Sequence, residues 1–302
     1  MKIFVTGATG YIGFAVATAL RRAGHEVWGL SRSDAKASRL ARHEIRPVIG
    51  NLRDPSQFLQ VAASCSVLVH AAVDHDADMF EVDRAAVQAL LAAAARGPQP
   101  KTFLYTSGVW VYGDTRGEPA DETTPVAPPA RVASRPGIEQ LVLSASQVRS
   151  IVLRPGCVYG ASGGLTGTWF RAAYEEKVVR AVGTGANRWT MVHVDDVADC
   201  YVRAAESGLA GEIFNVTDRS RACIRDLTAA VCCITGVTNP VLFTPVAEAA
   251  AKLGSFAECL ALDQHVDSRK AVARLGWQPR HGGFIDGIAT YHAAWQAWRH
   301  GA

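Results

Sequence analysis

Thr6-Gly7-Ala8-Thr9-Gly10-Tyr11-Ile12-Gly13 is the stretch with the most legible chemistry in this chain. Glycines at three-residue spacing leave a backbone that can meet a pyrophosphate: Gly7 makes the turn, Gly10 keeps a Cβ out of the way, and Gly13 lets a helix pack on a strand. The free N–H groups where that helix starts, and the positive end of its dipole, favour an anion. Further on, Ser31 and Arg32 stand where an acid would take the ribose hydroxyls of NAD. A hydroxyl and a guanidinium suit instead the extra phosphate of NADP(H), with Lys36 near enough in sequence to assist.

These residues need a strand before the turn and a helix after it. Ile3-Phe4-Val5 is apolar and short, as a buried strand is, and residues 14–23 have the Ala/Val/Leu content of a helix. Further strands are expected over 25–30, 47–49, 67–72, 101–106 and 150–153, with a long alanine-rich helix over 78–95. Strands alternating with helices specify an α/β fold, a Rossmann-type doubly wound parallel sheet. Residues 116–130, dense in Pro, Gly and acids, read as an exposed loop, and 162–167 as a small-residue loop before an aromatic-bearing helix over 169–178. A helix over 196–207 and a strand over 211–216 then return to the sheet. The expected organisation is a dinucleotide-binding domain over 1–155, rejoined by 191–216, and a substrate lobe built from 156–190 and 217–302.

The 302 residues are 49% hydrophobic and 20% charged, which is globular composition. A formal charge of +3, with no Lys/Arg cluster interleaved with aromatics, gives no nucleic-acid surface. No apolar run reaches the roughly 18 residues of a membrane span, and glycines follow the first strand where a signal peptide would have its cleavage site. A cytoplasmic protein is expected, its seven cysteines reduced, with no C-x-x-C or Cys/His spacing for a metal.

The form TGATGYIG resembles the extended short-chain dehydrogenase/reductase family, the NAD(P)-dependent epimerase/dehydratase type, and later segments extend the resemblance over nearly the whole chain. Gly50-Asn51-Leu52-Arg53-Asp54 is similar to that family's adenine-side segment, with Asn51 in place of its first acid. His70-Ala71-Ala72 resembles its H-x-A strand end, where small residues admit the cofactor. Arg154-Pro155-Gly156-Cys157-Val158-Tyr159-Gly160 resembles its R-P-x-x-V-Y-G element, which puts Pro155 and Val158 near the nicotinamide. The segment ending His193-Val194-Asp195-Asp196 and the closing Leu275-Gly276-Trp277-Gln278-Pro279 match as well. The resemblance implies cofactor contacts from Gly7, Thr9, Gly10, Tyr11, Ile12, Gly13, Asn51, Leu52, Ala71 and Ala72. It also implies a small-molecule substrate and a homodimer through helices 78–95 and 135–144, with Leu90, Leu91, Leu141 and Leu143 in contact.

Family members that move hydride use a Ser or Thr, a Tyr and a Lys. Here Arg131 stands in place of the tyrosine and Arg135 in place of the lysine; the polarising hydroxyl falls on Gly108, with Ser107 one residue earlier. A guanidinium does not cycle protons at neutral pH, so Arg131 is a binder of anionic or carbonyl oxygen rather than an acid, and Arg135 a ribose anchor. His75, on the loop after the fourth strand, is the candidate proton donor, because an imidazole titrates near neutrality. Trp110, Tyr159 and Trp169 are candidate pocket aromatics, suggesting an apolar or ring-bearing substrate. His70 reads as a satisfied core histidine and His193 as an anchor for a helix start. The leading function is an NADP(H)-dependent oxidoreductase acting on a carbonyl or alcohol without the Tyr/Lys pair. An epimerase/dehydratase with tightly held cofactor, or a non-catalytic NADP(H)-sensing protein, are the alternatives.

Overall fold

Alternation along the first strand sets the two faces of the sheet. In the computed structural model, which describes residues 1–74 and 79–300, β1 (Lys2–Thr6) sends Ile3 and Val5 into one core and Phe4 into another, all fully buried. β2 (Glu26–Ser31), β3 (Arg46–Ile49), β4 (Val67–His70), β5 (Lys101–Thr106), β6 (Val148–Pro155) and β7 (Glu212–Val216) complete a parallel sheet of seven strands. Its spatial order is β7-β6-β5-β4-β1-β2-β3. The order reverses between β1 and β4, and the crevice beyond the strand ends at such a point is where α/β sheets bind ligands.

Helices cover both faces, as an all-parallel sheet requires. α1 (Tyr11–Arg22), α2 (Asp34–Arg42) and α7 (Val194–Glu206) bury Leu20, Leu40 and Tyr201 against the Ile3/Val5 side. α3 (Leu59–Ser64), α4 (Met79–Ala94) and α5 (Arg135–Leu143) cover the Phe4 side with Ala62, Val87 and Ile138. A third core lies in the C-terminal half, where α6 (Gly164–Glu175), α8 (Ile224–Thr235) and the helix Ile288–His300 gather around Tyr159, Phe170 and Phe284. α9 (Val246–Leu253) and α10 (Phe256–Ala261) add a small cluster on Val182. Among the described residues no helix is long and apolar enough to cross a membrane.

Three expectations are corrected. Residues 162–167 are not all loop: α6 begins at Gly164, because Gly163 and Gly167 let its first turn close against Trp295. Packing there outweighs the low helix propensity of glycine. The stretch 116–130 carries a short strand, Pro119–Ala120, paired with His265–Val266. Leu90 and Leu91 are buried under the sheet; the residues that α4 leaves exposed include Glu81, Ala85, Gln88 and Ala92.

Candidate active site

The glycine turn is held by sterics on every side. Gly7 adopts φ +70°, and a Cβ there would stand 2.4 Å from the Ala71 carbonyl oxygen; one on Gly13 would stand 2.2 Å from the Gly7 oxygen. β1, β4 and α1 therefore approach closely only without those side chains. Gly10 caps α1 with no side chain accepting from its first turn, so the N–H groups there stay available to an anion. A crevice of about 320 Å³ opens in front of them, walled by Gly7, Thr9, Gly10, Tyr11 and Ile12 and by Ala71 and Ala72. Its far end is formed by Leu30, Arg32, Lys36, Asn51 and Leu52. The space, the amide cradle and the cations at the distal end fit a dinucleotide.

Ser31 is not part of that crevice. It is 1% exposed and its hydroxyl donates to the Ser33 carbonyl at 2.9 Å, so the period-2 alternation of β2 gives the crevice Leu30 and turns Ser31 away. Asn51 is at the crevice, with its amide oxygen accepting from the Arg53 N–H at 3.1 Å. Asp54 caps the short helix Pro55–Gln57 by accepting from Ser56 N.

A second cavity, of about 400 Å³, adjoins the crevice through Tyr11, Ile12 and Val73, which line both. It collects Ser107, Gly108 and Trp110 from beyond β5, Arg131 from the short helix Ala130–Val132, Arg135 from the start of α5, Pro155 from the end of β6 and Val158 from the short strand Cys157–Tyr159 that follows it. Its polar groups are few. The Ser107 Oγ is buried and meets no hydrogen-bond partner, while its backbone N–H donates to the Leu153 carbonyl at 2.8 Å and fixes its position. Gly108 is extended (φ −179°), and a Cβ there would be 3.7 Å from its nearest neighbour, the Pro155 oxygen, so space does not exclude a side chain. No carboxylate among the described residues pairs with Arg131. Cys157 forms part of the wall, but burial pushes its thiol up to about 12 and keeps it un-ionised.

Arg135 is held from beneath. Its Nη1 donates to the Thr106 carbonyl at 2.7 Å and to the Tyr105 hydroxyl at 3.3 Å; Tyr105 donates to Asp83 Oδ2 at 2.7 Å. Asp83 Oδ1 lies 2.8 Å from His70 Nε2, and the Thr6 hydroxyl 2.8 Å from His70 Nδ1. Burial opposes charge on Arg135 and on Asp83, yet the mutual field and these hydrogen bonds win: the guanidinium is held above its ordinary value and the carboxyl below its own. Arg135 is thus a fixed cation at the cavity floor. Asp83 and Tyr105 were not evident in the sequence, since nothing there signals that residues on β4, α4, β5 and α5 share one buried chain of contacts.

Other expected residues fall elsewhere. Tyr159 is fully buried in the third core, edge-on to His193, Phe284 and Tyr291, because β6 gives way to the short strand Cys157–Tyr159 that alternates it inward. Trp169 stacks on Trp189 at 5.1 Å and 12° and faces a different cavity. Trp110 does line the cavity beside Ser107, edge-on to Phe256 at 5.8 Å. His75 lies outside the described residues. His193 accepts from Asp195 N at the start of α7. Among the described residues, His193, Asp195 and His281 bring donor atoms within 4.8 Å. The two imidazoles are stacked at 3.6 Å with His193 Nδ1 engaged by the helix N–H and His281 Nδ1 3.0 Å from Asp196, so their lone pairs do not converge on an ion.

A doubly wound sheet with a glycine turn at its switch point defines a Rossmann-type dinucleotide-binding protein. Residues 3–217 match the NAD dependent epimerase/dehydratase family, and the chain belongs to that family. It is 29% identical over 296 residues to an uncharacterized protein of Schizosaccharomyces pombe, covering 96% of this chain and 99% of that protein. A 4-hydroxy-2-methyl-3-oxo-4-farnesyl-3,4-dihydroquinoline-1-oxide ketoreductase of Stigmatella aurantiaca is 29% identical over 279 residues, with 84% and 80% covered. The dTDP-glucose 4,6-dehydratase DesIV of Streptomyces venezuelae superposes with a TM-score of 0.83 at 21% identity, covering 99% of this chain and 98% of that one.

Proposed function

We propose that the protein is an NADP(H)-dependent oxidoreductase that interconverts a carbonyl and an alcohol on a small organic molecule without a Tyr/Lys pair, acting in the cytoplasm. The observation that carries this is Ser107 at the wall of a largely apolar cavity contiguous with the dinucleotide crevice, its hydroxyl buried without a hydrogen-bond partner and so uncommitted to any protein group. Bound NADPH supplies a hydride. The chain's own part is to donate the Ser107 O–H to the carbonyl oxygen, to place Arg131 beside developing negative charge there, and to hold Arg135 as an anchor for ribose hydroxyls. The apolar wall of Val109, Trp110, Val132 and Val158 excludes water from the reacting carbon. The alkoxide needs a proton that neither arginine gives up, and His75 is the residue we assign to it. The ketoreductase relative, 29% identical against 26% for a UDP-glucose 4-epimerase of Mycolicibacterium smegmatis, supports this reading over an epimerase or a dehydratase, while the missing tyrosine weighs on all of them alike. Consumption of NADPH with a panel of ketones and aldehydes tests it; cofactor binding with no turnover across the panel would favour a sensor instead.

For cofactor choice, Arg32 and Lys36 carry the preference without Ser31. NADPH should bind more tightly than NADH, and Arg32→Ala should remove most of the difference, about tenfold or more, since a charge-assisted hydrogen bond contributes roughly 1.5–3 kcal/mol. Equal affinities in the unmodified protein, measured by fluorescence titration, would rule the assignment out.

A further inference from the structure

A third cavity, of about 390 Å³, lies beyond the one that holds Ser107, and the two share Leu165 and Phe256 as common walls. Its deep side is the stacked pair Trp169 and Trp189, with Ala181 and Val182 from the short strand Arg180–Val182 and Ala249 from α9. The one polar atom of the Trp189 ring is already committed, donating to the Leu260 carbonyl at 3.0 Å, so that indole offers the cavity only apolar surface. Arg180 is paired with Glu176 at 2.8 Å. The exposed residues Thr168, Glu248, Lys252 and Leu253 form its outer mouth.

We propose that this cavity takes the apolar tail of the substrate, an alkyl, prenyl or fused-ring extension, while the carbonyl head sits at Ser107. The assignment rests on the oxidoreductase reading for its head group and adds the class of molecule that the head belongs to. Two contiguous cavities of this size, one with a serine and two arginines and the other walled by indoles and aliphatics, match an amphipathic molecule that is polar at one end only. Leu165 and Phe256 stand where the two parts of such a molecule would join, and Trp110 braces Phe256 from the first cavity.

The test is a binding series on the NADP⁺-saturated protein with straight-chain methyl ketones from butanone to dodecanone, followed by tryptophan fluorescence. Affinity should rise about fourfold per added methylene as the chain enters the third cavity, the factor that burial of one methylene supplies. Ala249→Phe, which fills the cavity from α9, should flatten the dependence for the longer members. Thr168→Trp, at the exposed mouth, should shorten the chain length at which affinity stops rising and serves if Ala249→Phe does not fold. A series that is flat in the unmodified protein, or whose slope survives both substitutions, overturns the proposal. Length-dependent binding without any NADPH oxidation would instead uphold the cavity's role and overturn the oxidoreductase reading.

Discussion

Ser107→Ala is expected to lower kcat for carbonyl reduction by about 10²–10³, the effect of removing one preorganised donor from a developing oxyanion, with NADPH affinity within about twofold of its original value. The Oγ has no other partner to lose, so the substitution removes a donor without breaking a structural contact. Its backbone position is set by the Ser107 N–H bond to Leu153, which alanine keeps. Steady-state kinetics at saturating NADPH would check it. A loss smaller than about threefold would mean that Arg131 holds the oxygen alone. Gly108→Ser in the Ser107→Ala background is a useful companion, because the added Cβ has room and puts a hydroxyl back beside the cavity one residue along.

Glu139→Gln is expected to have the largest effect on stability. Glu139 and Arg154 form a two-pronged ion pair with each side chain 4% exposed, and Arg154 Nη1 also donates to the Tyr112 hydroxyl at 2.7 Å. Tyr112 in turn donates to Asn215 at 2.9 Å, which ties β7 to the turn beyond β5. Burial opposes the Arg154 charge, and Glu139 more than restores it. Removing the carboxylate leaves a buried cation uncompensated, which costs about 3–5 kcal/mol. In a chain of this size that corresponds to a fall of about 5–8 °C in the melting temperature. The double substitution Glu139→Leu with Arg154→Met should recover much of the loss, since no charge is then stranded. A Glu139→Gln protein that melts within a degree or two of the original would show that Arg154 finds enough water or other acceptors to stay solvated.

Residues whose roles follow from local geometry were legible before the fold. Gly7, Gly10 and Gly13, read with the apolar run before them and the helix-forming run after them, announce a strand, a turn and a helix, and the apolar runs that became β1, β2 and β4 need only their neighbours in sequence to be recognised. Residues whose roles depend on a register or a distant partner were not. Ser31 follows a crevice residue by one position, and a single step of strand alternation turned it inward. Tyr159 carries a family motif, yet its ring closes a core built largely by Phe284 and Tyr291, more than a hundred positions later. The Arg135 anchor was visible as a substitution, but the Tyr105, Asp83 and His70 chain that fixes its charge arises only when β4, β5, α4 and α5 stack on one face of the sheet. Leu165 and Phe256 were invisible as cavity walls for the same reason. The glycine-rich start of α6 reads as a loop until Trp295 is packed against it.

If the protein is the oxidoreductase we propose, a hydride passes between NADP(H) and a substrate carbon in the cavity beside Ser107. NADPH carrying deuterium at the transferable position of the nicotinamide, incubated with the protein and the best ketone of the panel, tests this most directly. One deuterium is expected on the carbinol carbon of the alcohol for each NADPH oxidised, at a rate that falls in the Ser107→Ala protein. Tight NADPH binding with no label reaching any member of the panel would contradict it.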